Sequence, residues 1–432
     1  MLKSNKEYPK VLIFSSTKSN NYTGTGLLLR NLFSDWPVEK LAYLTTNNIY
    51  GMPSTKEWYG MSQKEIRYVW PISSILKSRL SNNSSITETK NVKVSERRLF
   101  HGITRILGGE EILRKYVLTQ KLIQWIDSFK PEVIYCHVSS INEIKIVNAL
   151  ILLFKIPLVI HIMDDWFTVK YKQGLFSFFF RKYFKNQYKK LMHKATIRMC
   201  ISKKMSEEYN NRFGCEFVTF SNVIDTKLWF DFQIGKRQDA FFELLYAGTI
   251  NDKNIKGLLL LSDIVEELNK EGQKINFKLY SFKEKLKYFG YMFNNHQSLS
   301  IGEVPKDDPG MMNILKNADL LVIPFDYSKK SIERIRLSML AKVSAYLASG
   351  IPILVFGSEK IATVEYAIKE KWAHVLVNNN REQLKNMIIE LIKNTELRNS
   401  TIKIAKKVVI KDFDAKIIKE DFRRQIQTTI IN

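Results

Sequence analysis

Cysteine is scarce in this chain of 432 residues. There are three, Cys136, Cys200 and Cys215, and no two form a Cys-x-x-Cys pair. An odd, scattered set offers no disulfide framework and no thiolate zinc site, and it fits a reducing cytosol. Buried small apolar side chains are the plain reading. Membrane-spanning runs are also lacking. The longest apolar stretch, IVNALILLFKIPLVIHIM, is broken by Lys155 and Pro157, which predicts a helix ending near Phe154 and a buried strand starting at Pro157. The opening MLKSNKEYPK is polar, and the VLIFSS after it is too short for a signal peptide. Acidic residues are few: 43 Asp and Glu face 67 Lys and Arg, for a net charge of +24. That excess points to anionic partners such as phosphates or an acidic membrane surface. Nucleic acid is disfavoured, because no recognised binding motif accompanies the charge. No short repeat and no long low-complexity tract is present.

The length exceeds what one core usually holds, so two domains are expected. The hydrophobic fraction of 45% is that of a folded chain. Strand and helix patterns alternate from PKVLIFSS through TIRMCIS and restart at FELLYAG. Alternation of this kind predicts parallel sheets covered by helices on both faces. The expected fold is therefore α/β, two doubly wound Rossmann-like domains facing a central cleft. The stretch EILRKYVLTQKLIQWIDSF is expected to be helical, and the polar SNNSSITETKN to be a loop. Ligands of doubly wound sheets bind at the carboxyl ends of the strands, so chemistry is sought just after them.

After the first strand, TKSNNYTGTGLLL brings Gly24 and Gly26 to a strand-to-helix turn. Such glycines let a phosphate approach the backbone, and an ordinary turn is the alternative. After PLVIHIM, Asp164 and Asp165 end a buried strand, with His161 two and three residues earlier than Met163 and Asp164 respectively. Carboxylates there can hold sugar hydroxyls; a helix cap is the alternative. Between Asp165 and Glu207 there is no acidic residue. This basic stretch carries Phe180, Phe184, Tyr188 and Leu191 on one helical stripe, which suits an anionic membrane surface or, more plainly, a core-packed helix with solvated lysines. In RLSMLAKVSAYLASGIPILVFG, residues 336–357, Ser338 is expected to cap a helix starting at Met339 and Gly350 to end it. Lys342 then sits in the first turn, where the helix dipole disfavours a cation. A diphosphate held at that helix start would reverse the sign, and a solvent-pointing lysine is the alternative.

These segments also resemble a known family. SMLAKVSAYLASGIPILVFG is similar to the donor-site helix of GT-B glycosyltransferases, especially glycosyltransferase family 4. FSNVIDTKLW, CISKKMSEEYNNRFG, LLYAGTINDKNIKGLLLL and PLVIHIMDDW resemble, in order, further segments of that family. The resemblance implies the GT-B fold, with an acceptor domain over 1–215, a nucleotide-sugar donor domain over 216–410, and a C-terminal helix over 411–432 crossing back. It implies a hexosyltransferase-type enzyme acting with retention, without metal or cofactor. The sugar would pass from a nucleotide-sugar to a polysaccharide or lipid-linked oligosaccharide of a bacterial surface. The expected location is the cytoplasm, peripheral on the inner face of the membrane. The implied catalytic residues are Asp164, His161 and Asp165. The implied donor-binding residues are Gly24, Gly26, Thr249, Lys253, Lys256, Glu333, Ser338, Lys342 and Ser344. The sequence departs from the family at Leu337 and Ala345, where two glutamates recur, at Thr249 in place of an arginine, and at Met163 in place of a histidine. Glu333 and Ser344 stand as substitutes. A GT-B-like binding or scaffold subunit without transfer activity is the alternative.

Overall fold

The computed structural model describes residues 8–16, 24–46, 55, 57–68, 114–233, 241–305 and 307–431. The SNNSSITETKN segment and residues 17–23 of the first strand-to-helix turn lie outside them.

Short apolar runs form the central strands, as expected for strands buried on both faces. Seven of them make the first sheet: β1 (Val11–Ser15), β2 (Leu41–Thr45), β3 (Glu57–Gly60), β6 (Val133–His137), β7 (Leu158–Ile162), β8 (Ile197–Cys200) and the short β9 (Val218–Thr219). Their order is β3-β2-β1-β6-β7-β8-β9, and every pairing is parallel. The second sheet holds β10 (Phe242–Ala247), β11 (Ile275–Ser281), β12 (Leu299–Glu303), β13 (Leu320–Pro324), β14 (Ile353–Phe356) and β15 (His374–Leu376). It is parallel throughout, in the order β12-β11-β10-β13-β14-β15. Each order reverses direction once, between β1 and β6 and between β10 and β13. Those two reversals are where a doubly wound sheet leaves a crevice for a ligand.

Two sequence expectations are corrected. Part of the stretch expected to be one helix is strand: β5 (Arg114–Tyr116) pairs antiparallel with β4 (Ile66–Tyr68), and the helix begins only at Gln120, capped by Thr119. The helix expected from Met339 begins at Lys342, because Ser338 bonds across the molecule rather than capping it. The Pro157 break stands where expected, between the helix Ile141–Phe154 and β7. Of the aromatic stripe, Phe184, Tyr188 and Leu191 are buried in the core.

The chain passes between the sheets twice, and the passages are bonded together. Ile224 N donates to the Phe413 carbonyl and Ala415 N to the Ile224 carbonyl, both at 2.9 Å. The final helix, Ala415–Ile431, then lies on the first sheet, with Phe422 packed among Phe33, Trp36, Tyr135 and Phe220.

A buried carboxylate ties the halves together beside the cleft. Asp165 accepts hydrogen bonds from Tyr209 (2.9 Å), Arg212 (2.8 Å) and Arg336 (3.3 Å), the last from the other domain. Arg336 also binds Glu208 at 2.7 and 3.0 Å. That bond, with help from Arg212, holds the Glu208 carboxyl down at about 2. Lys172–Glu333 and Lys204–Glu365 pairs and a bond from Ser202 Oγ to the Leu337 carbonyl (2.6 Å) extend the seam.

Asp165→Asn leaves two guanidinium groups facing a neutral amide, so it should destabilise the fold by about 3 kcal/mol, read as a lower denaturation midpoint in urea. Glu208 has a depressed folded pKa, so its contribution is present above the ordinary carboxylate range and is lost as pH falls towards 2. Thermal melts between pH 5 and pH 2 should therefore fall more steeply for the wild type than for Glu208→Gln.

Candidate functional site

A cleft of about 690 Å³ opens where the carboxyl edges of the two sheets meet. Its wall on the side of the first sheet carries Gly24, Thr25, Arg30, Met163 and Asp164, and Asn222 also lines it. The opposite wall carries Tyr246, Gly248, Thr249, Lys253, Lys342 and Ser344. Both sheet reversals therefore contribute, as the parallel topology requires.

Lys342 is the first residue of its helix, and the cap position, Ala341, offers no side-chain bond. Its stem is partly accessible, but its Nζ is buried and has no hydrogen-bond partner. The amine lies 3.5 Å from the centre of the Tyr246 ring and 5.7 Å from that of Tyr346. Burial alone pushes its pKa well below the ordinary lysine value. The solvent-pointing alternative is thereby excluded for the free protein. Gly248 makes room for this amine. Its φ of 145° is a glycine conformation, and a Cβ there would come within 2.5 Å of Nζ. Tyr246 is itself fixed: its hydroxyl donates to the Thr249 carbonyl at 2.7 Å and accepts from Asn254 at 2.7 Å.

Asp164 faces the cleft and accepts a hydrogen bond from Ser338 Oγ at 3.1 Å, across the two domains. Ser344 Oγ donates to the Ala341 carbonyl (3.3 Å), and Asn222 Nδ2 bonds both that carbonyl (3.1 Å) and Ser344 Oγ (3.2 Å). Thus Asp164, Gly24, Thr249, Lys253, Ser338, Lys342 and Ser344 come together as expected neighbours of one cleft.

Five expected residues do not. His161 is wholly buried: its Nε2 donates to the Phe220 carbonyl (3.0 Å), so Nδ1 accepts from the Tyr135 hydroxyl (2.6 Å). Burial pushes its pKa down to about 3, so it stays neutral and occupied inside the sheet. Asp165 is consumed by Arg212 and Arg336 in the seam. Glu333 pairs with Lys172 outside the cleft lining. Gly26 is buried within its helix. Lys256 lies in a separate, smaller depression, 3.9 Å from Asp326, because only Lys253 of the two turns inward.

The sequence did not point to Arg30 and Asn222 of the cleft lining, nor to His137, which is buried outside that lining. His137 ends β6 at the first sheet's reversal; it is buried with both ring nitrogens unbonded. Burial lowers its pKa, opposed by the charges of Glu143 and Asp164. Its place at the end of PEVIYCHV was the available signal. Arg30 reaches across the cleft to within 3.9 Å of Asp308, and only folding brings the two together. Among the described residues, no group of three His, Cys, Asp or Glu side chains is placed to hold a metal ion.

The two facing parallel sheets have the GT-B fold. Residues 86–228 match Glycosyltransferase Family 4, one third of the chain. No curated protein matches this sequence. Among solved structures, HepE from Anabaena in complex with UDP-glucose is similar at a TM-score of 0.59 and 11% identity, over 98% of this chain and 100% of that one. Sucrose-phosphate synthase from Thermosynechococcus elongatus is similar at 0.61 and 11%, over 97% and 98%. A UDP-forming α,α-trehalose-phosphate synthase from Burkholderia vietnamiensis is similar at 0.60 and 9%, over 97% and 100%.

Gly248→Ala should place a methyl against the Lys342 amine in a backbone conformation that alanine resists. We expect a loss of about 1–3 kcal/mol in stability, measured by urea unfolding. Lys342→Ala combined with Gly248→Ala should recover part of that loss, since the collision is then gone.

Proposed function

We propose that this protein transfers a hexose from a nucleotide-sugar, of the uridine diphosphate type, to a polysaccharide or lipid-linked oligosaccharide of a bacterial surface. The reading includes retention at the anomeric carbon and no need for a metal ion or cofactor. One observation carries it: the unpaired, buried amine of Lys342 at the switch point of the donor-side sheet, beside a glycine that keeps the backbone open. A buried amine without a partner is costly, and a diphosphate supplies the charge it lacks. The UDP-glucose in HepE and the UDP-forming reaction of the trehalose-phosphate synthase support the donor class.

In this reading, the cleft positions the sugar carbon against the acceptor hydroxyl. Lys342 and Lys253 stabilise the leaving diphosphate as its charge develops. Asp164, steadied by Ser338, orients the acceptor or the transferred sugar. The inactive scaffold reading has one observation in its favour. Leu337 is buried with its carbonyl bonded to Ser202, and Ala345 lines the cleft, so neither recurring glutamate has a direct replacement. Turnover separates the two readings: release of sugar from UDP-sugars by the wild type excludes the scaffold, whereas nucleotide binding with no turnover on any acceptor supports it.

Lys342→Met should leave the free protein as stable as the wild type, because it removes an unpaired buried amine. It should weaken UDP binding by about 1.5–3 kcal/mol, roughly ten- to a hundred-fold, the range for a charge-assisted hydrogen bond. Since the free amine has a lowered pKa, binding the diphosphate should draw in a proton and weaken as pH rises. Calorimetry in buffers of different ionisation enthalpy measures that proton, and Lys342→Met should lack it. Unchanged affinity in this variant places the diphosphate elsewhere. Asp164→Asn should lower kcat more than donor affinity. EDTA should leave turnover unchanged; strict dependence on a divalent ion overturns the metal-free mechanism.

A further inference from the structure

The buried aromatic stripe removes one basis for membrane attachment, but the structure supplies another a turn earlier. The helix Ser177–Lys194 begins beyond a tight turn at Gly174, whose φ is 106°. At that end Leu175, Phe176, Phe178 and Phe179 are 75%, 47%, 70% and 68% exposed. Phe178 and Phe179 touch each other edge to face, with ring centres 5.6 Å apart, and among the described residues neither meets another ring. Four large apolar side chains exposed within five residues are not a scatter of surface leucines; a contiguous patch marks a contact.

The charge around the patch says what kind. At about 100° per residue, Phe178, Phe179, Lys182, Tyr183, Asn186, Lys189, Lys190 and His193 fall within one arc of about 140°. The structure leaves Lys182, Lys189 and Lys190 exposed on it, while Phe184, Tyr188 and Leu191 on the opposite arc are buried. No carboxylate lies anywhere between Asp165 and Glu207. An apolar tip followed by lysines along the same face matches the layers of an anionic bilayer. The tip reaches the acyl boundary. Lys182, about 5 Å further along the helix, meets the headgroups. Lys189 and Lys190, about 16 Å along a tilted axis, stay near enough to the surface for its potential to act.

We infer that residues 175–179, with Lys182, Lys189 and Lys190, form a membrane-docking tip that inserts into an anionic lipid surface. The helix follows β7 and returns the chain towards β8, which is parallel to β7, so its N-terminus lies at the carboxyl edge of the sheet. Asp164 sits at that same edge. Docking by this tip therefore turns the cleft side of the acceptor domain towards the bilayer. The delivery of a lipid-linked acceptor to the cleft rests on the transferase reading; the docking itself does not.

Attachment is measured without donor or acceptor, by co-sedimentation of the full chain with vesicles of phosphatidylcholine and phosphatidylglycerol, and with vesicles of phosphatidylcholine alone. The wild type should bind the anionic vesicles and lose affinity as salt rises. Phe178→Ser with Phe179→Ser should weaken binding by about ten-fold or more at any salt. Lys182→Gln with Lys189→Gln and Lys190→Gln should weaken it by about a hundred-fold at low salt, at about five-fold per lysine. Both variants change exposed side chains only, so thermal melts matching the wild type show that the fold is kept. Soluble UDP-sugar turnover by these variants should be unchanged, which keeps this test apart from the donor site. No binding of the wild type to anionic vesicles, or equal binding by the Phe178→Ser, Phe179→Ser variant, overturns the inference. A wild-type dimer in gel filtration that this variant converts to a monomer also overturns it, in favour of a contact between two copies.

Discussion

A parallel strand must enter its sheet from the same side as its neighbours, so every strand delivers its carboxyl end to one edge. Both large sheets here obey that constraint, and each reverses its strand order once. Nearly everything at the site follows. The residues after β7, β10 and β13 arrive at facing edges, and the helices after them start there. Two such edges turned towards each other make a cleft rich in small residues and helix starts, a setting suited to an anionic ligand.

How the edges are held is a matter of charge and chain crossing. The bonded passages at Ile224 and Phe413–Ala415 join the halves, and the Asp165–Arg212–Arg336–Glu208 cluster ties them beside the cleft. Removing one member of such a cluster is costly because the remaining charges keep their burial and lose their partner. Lys342 presents the opposite case. Its amine is buried against the Tyr246 ring with no hydrogen-bond partner, so no counter-charge in the fold offsets its burial.

The corrected residues show how pattern reading fails near a site. His161 and Asp165 stand one on each side of the strand end that carries Asp164, and only the middle position opens to the cleft. Which of three neighbouring polar residues faces the cleft depends on what meets the strand end from the other domain. Arg336 claims Asp165, and Ser338 claims Asp164. Ser338 is therefore unavailable as the helix cap that its sequence context suggests. His137 was overlooked for the same reason: a histidine ending an apolar strand reads as core until the sheet reversal beside it is known.

The sequence by itself determined the alternation of strand and helix, the parallel sheets that alternation demands, and the Pro157 and Gly350 breaks. Those features depend on local periodicity and on residues with restricted backbones, which act within a few positions of themselves. Only the tertiary structure decided that the Lys342 amine has no hydrogen-bond partner, that Arg30 faces Asp308, and that Leu175, Phe176, Phe178 and Phe179 are left exposed. Each of these is a relation between segments far apart in the chain. A side chain's exposure and charge partner are set by whichever surface folding brings against it, and nothing in the local pattern records which surface that is.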